Sequence, residues 1–208
     1  MIKWLMILLA LAVVTVLVVL FAVTRVENAQ YENNKSRLNS SPKAANQKTK
    51  VAVVVFSRSG NTGVVAQHIA DKYQGDIYEI FDSGYELGVP GLISALSDAR
   101  SDIATITPNH IDLKQYDTIF LGSPIWLYSP APPIWQFAKD HQFNDKKVVL
   151  FNTFNSKFEQ YFIDDFEQLV RSNGATAFSH RYVKRGRMGS QITTEELLEQ
   201  FDAQLDSL

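Results

Sequence analysis

The sequence predicts an α/β fold: a doubly wound, five-stranded parallel sheet preceded by one transmembrane helix. Three observations carry that reading. From residue 51 onward, short β-branched runs alternate with stretches of helical periodicity. Several of those runs are apolar throughout, as in strands covered on both faces. Near the amino terminus, residues 4–23 form one apolar run of 20, interrupted only by Thr15. A composition of 46% hydrophobic and 20% charged residues excludes a disordered or fibrous chain.

At 1.5 Å per residue the apolar run reaches about 30 Å, the thickness of a bilayer core. A cleaved signal peptide has a shorter apolar region, and no small-x-small cleavage site follows Val23. Residues 1–25 are therefore expected to form an uncleaved anchor. Lys3 lies on one side of the run, and Arg25, Lys35, Arg37 and Lys43 lie on the other. The positive-inside rule then expects the carboxyl-terminal domain in the cytoplasm. Residues 26–49 are rich in Asn, Ser, Gln, Lys and Ala without apolar periodicity. They read as a flexible polar tether with an r.m.s. reach of about 28 Å.

Residues 50–208 read as the globular domain. Residues 51–56 form a strand buried on both faces, and residues 61–73 a helix with Val65, Ile69 and Tyr73 on one stripe. Gly75 lies just past its end. Residues 77–81 are a short second strand. Residues 83–110 are irregular apart from a short helix near residues 92–100. A third buried strand at residues 118–122 leads into a Pro-rich turn and a helix over residues 133–141. The fourth strand is residues 148–151. Phe158, Phe162, Phe166, Leu169 and Val170 then make a helical stripe ending near Gly174. Residues 176–183 are the fifth strand. Thr193 with Glu196 makes a capping box for a last helix buried through Leu197, Phe201 and Leu205.

Charge is divided unevenly. Residues 1–50 carry seven Lys and Arg against two Asp and Glu, whereas residues 51–208 carry 13 against 20. An acidic domain is a poor general binder of nucleic acid, which needs clustered positive charge. The absence of cysteine excludes disulfides, thiolate zinc sites, a cysteine nucleophile and iron–sulfur clusters.

Ligands of open parallel sheets bind beyond the carboxyl ends of the strands, so the loops after strands one, three and four are the places to look. The first is Ser57-Arg58-Ser59-Gly60-Asn61-Thr62. It offers three hydroxyls, an amide, a glycine for close backbone approach and free N–H groups at a helix start, which together suit an anion. It lacks the lysine of the nucleotide P-loop and the three-glycine dinucleotide pattern. Such a site fits a terminal phosphate monoester. The third strand ends in Gly122-Ser123-Pro124-Ile125-Trp126 and continues through Tyr128 to Pro130-Ala131-Pro132-Pro133. The prolines stiffen this loop and would hold Trp126 and Tyr128 over the same crevice. A rigid aromatic beside a phosphate cradle suggests a flat, conjugated ligand.

Together these two loops resemble those of the flavodoxin family, over about residues 50–205. The resemblance implies a flavodoxin-like sheet in the order 2-1-3-4-5, the order for which that family is known, and bound FMN. By that resemblance Ser57, Ser59, Asn61 and Thr62 hold the phosphate, with Arg58 and Gly60 in the same loop. Trp126 flanks the isoalloxazine ring, with Ser123, Pro124 and Ile125 near its edge. The loop after strand four, Asn152-Thr153-Phe154-Asn155-Ser156, has no glycine where relatives are usually glycine-rich. There Thr153, Phe154 and Asn155 are expected beside the ring, and Phe154 either stacks on its other face or obstructs it.

The implied function is a membrane-tethered FMN protein carrying electrons between a reductase and an acceptor. Two alternatives stand beside it: an FMN-dependent NAD(P)H or quinone reductase on the same fold, and a flavin-free anchored binding module. Expected partners are a redox protein or a nicotinamide donor, and a lipid bilayer through residues 4–23. His68, His110, His141 and His180 are widely separated in sequence and have no metal-ligand spacing. The one basic cluster, from Arg181 to Arg187, reads as a solvated loop after strand five. Its alternative reading is a docking patch for an acidic partner, a phosphate-bearing nicotinamide cofactor or anionic lipid.

Overall fold

Strand alternation builds two cores, one on each face of a single sheet. In the computed structural model, which describes residues 2–38, 49–187 and 190–205, β1 (Val51–Val55) lies between β2 (Asp76–Glu79) and β3 (Thr118–Trp126). β4 (Ser129–Pro130) pairs antiparallel with the end of β3. β5 (Lys147–Phe154) pairs in parallel with β3, and β6 (Ala177–Lys184) with β5. The order is β2-β1-β3-β5-β6 with β4 off the path. With the two-residue β4 set aside, this is the expected five-stranded parallel sheet in the order 2-1-3-4-5.

The helices are α1 (Ile2–Leu38), α2 (Asn61–Tyr73), α3 (Val89–Ser97), α4 (Pro132–Asp140), α5 (Gln160–Ser172) and α6 (Thr194–Leu205). Val53, Val55, Phe120, Val149 and Phe151 meet Val65 and Ile69 of α2 and Leu197 and Phe201 of α6. Their chain neighbours Ala52, Val54, Ile119, Leu121, Val148 and Leu150 point the other way, onto Ile134 and Phe137 of α4 and Phe166 of α5. A strand with both neighbours apolar at every position can be satisfied only by helices on both faces.

The helix ends follow local chemistry. Thr193 Oγ1 accepts from Glu196 N–H at 3.1 Å, and Glu196 Oε2 accepts from Thr193 N–H at 2.8 Å. This is the reciprocal capping box that the spacing predicts. At the end of α2 the left-handed residue is Gln74 (φ 51°), one position before the glycine. Gly75 is used differently: a Cβ there would stand 3.1 Å from Val51 O.

β3 runs four residues beyond the expected Gly122. β1 has already ended, pairing last at Val55 with Gly122, so Pro124 interrupts no ladder on that side. The chain then reverses through Leu127 (φ 39°) and Tyr128 (φ 81°) to pair Trp126 with Ser129. A two-residue hairpin with both φ positive normally uses Asn and Gly, so this turn is strained. Its surroundings hold it: Glu159 N–H donates to Tyr128 O at 3.0 Å, and Arg100 Nε donates to Leu127 O at 3.3 Å.

The first 38 residues differ from expectation. α1 does not stop at the end of its apolar run but continues unbroken to Leu38, about 55 Å in all. Residues 26–38 of the expected tether are therefore helical; residues 39–48 lie outside the described residues. The extension is docked by polar contacts. Asn34 is 2% exposed, and Arg37 pairs with Glu195 at the start of α6. Polar docking leaves no apolar stripe, which is why composition read the segment as unstructured. The apolar first half is long and hydrophobic enough to cross a membrane, with a mean hydropathy of 3.2, and none of that stretch is buried by the domain.

Candidate functional site

A cleft opens beyond the carboxyl ends of β1, β3 and β5. The loop after β1 forms its floor. Gly60 takes φ 82° to turn the chain into α2, where an L side chain would be strained. Ser57, Arg58, Ser59, Asn61 and Thr62 line the cleft. Thr62 Oγ1 lies 2.8 Å from Thr153 Oγ1, so the first turn of α2 is tied to the end of β5. Arg58 is buried: its Nε donates to Tyr85 O at 3.2 Å, its Nη2 to Gly88 O at 3.0 Å, and its Nη1 to Glu27.

The wall is aromatic and comes from β3 and β5. Pro124, Ile125, Trp126, Thr153, Phe154 and Asn155 all line the cleft. Trp126 is half-buried and meets Phe56 edge-on at 5.4 Å and Tyr85 at 5.2 Å. Phe154 packs edge-on against Phe158 at 5.5 Å and tilts against Tyr182 at 5.7 Å. Burial and the nearby carboxylates of Asp98 and Asp82 raise the Tyr85 phenol, which therefore stays neutral.

Three expected residues are not in the lining of the cleft. Ser123 is fully buried, and its Oγ accepts from Ala131 N–H at 3.3 Å and from Asn152 Nδ2 at 3.2 Å. It sits inside the sheet because strand alternation at that register turns it toward the α4 face. Gly60 shapes the floor by its backbone alone. Tyr128 is also elsewhere: the positive-φ turn carries it away from the cleft, between Arg100 and Lys157 at 5.6 and 5.0 Å from its ring.

Four further lining residues have no signal in the two motifs: Glu27, Gln30, Arg185 and Gln191. Arg185 corrects the solvated-loop reading of the basic cluster. Arg181 to Lys184 belong to β6, and Arg185 is 8% exposed. Its Nε and Nη1 are buried with no hydrogen-bond partner among the described residues. Burial without a counter-charge lowers its basicity. An orphaned guanidinium over a floor of hydroxyls and helix-start N–H groups is a donor set that fits a phosphate.

Two histidines that are distant in sequence come together in the fold. His110 stacks on His141 at 5.6 Å, and His141 is buried, with Nε2 accepting from Ile111 N–H. His180 donates from Nε2 to Asn152 Oδ1 at 2.8 Å. None of these lines the cleft.

The sequence pattern of the flavodoxin family (Flavodoxin) matches residues 93–201, just over half of the chain. Among curated proteins none matches. Among solved structures, one assigned as a flavoprotein of Bacteroides uniformis ATCC 8492 is 22% identical, with a TM-score of 0.57. The match covers 75% of this chain and 99% of that one. A second such protein, from Bacteroides eggerthii DSM 20697, is 21% identical with a TM-score of 0.53, covering 76% and 97%. A flavoprotein of Lactobacillus acidophilus NCFM, solved in complex with FMN, is 21% identical with a TM-score of 0.50, covering 64% and 93%. At these identities the likeness speaks to the fold.

Proposed function

The chain belongs to the flavodoxin family, and from that premise we propose that it is a membrane-tethered FMN protein carrying electrons between a reductase and an acceptor. The observation that carries this reading is the cleft beyond β1, β3 and β5, where the hydroxyl loop and Trp126 share one cavity. That placement is where ligands of such sheets bind. A similar fold from Lactobacillus acidophilus NCFM was solved with FMN.

Ser57, Ser59 and Thr62 would hold the phosphate with their hydroxyls and the N–H groups of the α2 start. Arg58 and Arg185 supply positive charge there. Trp126 and Phe154 offer flat apolar surface for the ring. When bound, FMN supplies the redox chemistry, and this chain supplies binding, orientation and field.

The apolar part of α1 is the proposed anchor. Its basic flank, from Arg25 to Arg37, favours a cytoplasmic domain. Because α1 continues into the domain, the domain is mounted directly at the membrane face.

The test is the visible spectrum of the purified full chain in detergent, with FMN and then NADH or NADPH added. The carrier reading expects a flavin spectrum and no nicotinamide oxidation until a reductase is supplied. Unaided nicotinamide oxidation makes the chain a reductase. A colourless chain that takes up no added FMN overturns the flavin reading.

A further inference from the structure

The carboxylate of Glu27 pairs with Arg58 inside the cleft that the hydroxyl loop and Arg185 also line. Its Oε1 pairs with Arg58 Nη1, and the two side chains are 14% and 4% exposed. Its Oε2 is buried without a partner among the described residues, as are Nε and Nη1 of Arg185 in the same cleft. Two more side chains of α1 bind the phosphate-loop residue Asn61. Asn34 Nδ2 donates to Asn61 Oδ1 at 2.9 Å, and Asn61 Nδ2 donates to Gln30 Oε1 at 3.0 Å. Leu38 closes over Gly63, where a Cβ would stand 2.9 Å from its Cδ2. An anchor needs none of these contacts to hold a domain at a membrane.

We propose that Glu27 and the phosphate of the ligand compete for one anion site built by Arg58 and Arg185, so that residues 27–38 of α1, held on the loop through Glu27, Gln30 and Asn34, are released when a phosphate monoester enters. The identity of the monoester as FMN rests on the reading above; the exchange of anions does not. A phosphate monoester carries nearly two negative charges at neutral pH and matches two guanidiniums. Glu27 brings one charge and leaves Arg185 unpaired. With Glu27 still in place, the phosphate would meet a like charge in a site of low dielectric. Loading therefore frees the segment from the loop, leaving its pairs to α6 as the remaining hold, and the mount loosens toward a tether. The reach of the domain from the membrane is then set by its cofactor.

The full chain in detergent micelles tests this. It has no cysteine, so spin labels at Ser36→Cys and Glu199→Cys, both on exposed positions, report the distance between α1 and α6. Saturating FMN should lengthen and broaden that distance, and riboflavin, which has no phosphate, should not. Glu27→Gln removes the competing charge and should raise FMN affinity about tenfold, because a ligand no longer has to displace the closed state. Riboflavin affinity should stay level, and Glu32→Gln, on the exposed face, should change neither. An unchanged distance with FMN bound, or an equal response to both flavins, overturns the exchange and leaves the FMN reading standing. Inorganic phosphate that moves the helix in a chain binding no flavin supports the exchange and overturns FMN. Binding of neither anion overturns both.

Discussion

The hydroxyls of Thr62 and Thr153 lie 2.8 Å apart, joining the first turn of α2 to the end of β5 beneath the cleft. Both residues are nearly inaccessible, at 1% and 4% exposed. A ligand phosphate there would replace a neutral partner of Thr62 by a charged one. Hydrogen bonds to charged groups are worth about 1.5–3 kcal/mol each, although neighbouring losses need not add. Thr62→Ala combined with Ser59→Ala should lower FMN affinity at least about tenfold. Riboflavin should respond little. Titration of both flavins by fluorescence checks this, and equal losses would place phosphate recognition elsewhere.

A second prediction concerns the middle of the sheet. A Cβ on Gly122 would stand 2.0 Å from Cζ of Phe151, whose ring lies across the glycine. Both residues are buried in the sheet, so neither can move away freely. Gly122→Ala should cost about 1–3 kcal/mol or more through overpacking. Gly122→Ala with Phe151→Leu should recover part of that loss. Urea unfolding of the parent chain, the two single variants and the double variant gives the coupling.

The motifs on strands and helix starts were legible because local patterns carried them. Val51 to Val55 reads as a buried strand, Ser57 to Thr62 as an anion loop, and Thr193 with Glu196 as a cap, and each has a short-range physical cause. What escaped the sequence is long-range. Glu27 reaches Arg58 across 31 positions by a polar contact that leaves no hydrophobic period. Arg185 looked like one of several basic residues, and only the fold turns it inward while its neighbours stay in β6. Tyr128 and Ser123 were misplaced for a related reason. Their loop reads as a single Pro-stiffened wall, but strand pairing continues through Pro124, so alternation turns Ser123 toward α4, and the reversal at Leu127 and Tyr128 redirects Tyr128 alone.

His180 gives a pH dependence. Burial, with the neighbouring positive charge of Arg181, lowers its pKa from 6.5 to about 4. The folded chain thus holds His180 neutral where the unfolded chain would protonate it. The unfolded state binds more protons over that range, so stability rises with pH. The contribution is fully present above about pH 6.5 and lost as pH falls toward 4, amounting to about 3 kcal/mol at most. His141, lowered by burial, acts in the same direction. His180→Gln keeps a donor for Asn152 and removes the titration. Between pH 7 and 5, above most carboxylate titration, the variant should lose less stability than the parent chain. Parallel curves for the two proteins would contradict a neutral, half-buried His180.

The last prediction concerns Trp126, which serves packing and cleft at once. Its ring meets Phe56 and Tyr85 edge-on, and the residue also lines the cavity. A fully buried Trp→Ala costs about 3–5 kcal/mol. Trp126 is half-buried, so Trp126→Ala should cost about 1–3 kcal/mol in the flavin-free chain. FMN binding should weaken as well, by roughly ten- to a hundredfold, from lost ring burial and aromatic contact. Trp126→Phe separates the two roles. It keeps an aromatic edge for Phe56 and Tyr85, so most of the flavin-free stability should return, while its smaller face restores only part of the affinity. The extra melting temperature conferred by FMN should track affinity across the three proteins. The chain has three tryptophans, and only Trp126 lines the cleft, so FMN should quench part of the fluorescence and Trp126→Phe should remove that part. A flavin-free chain that melts far lower in Trp126→Ala, with FMN affinity and quenching untouched, would make Trp126 a packing residue of the hairpin and leave the ring without its aromatic wall.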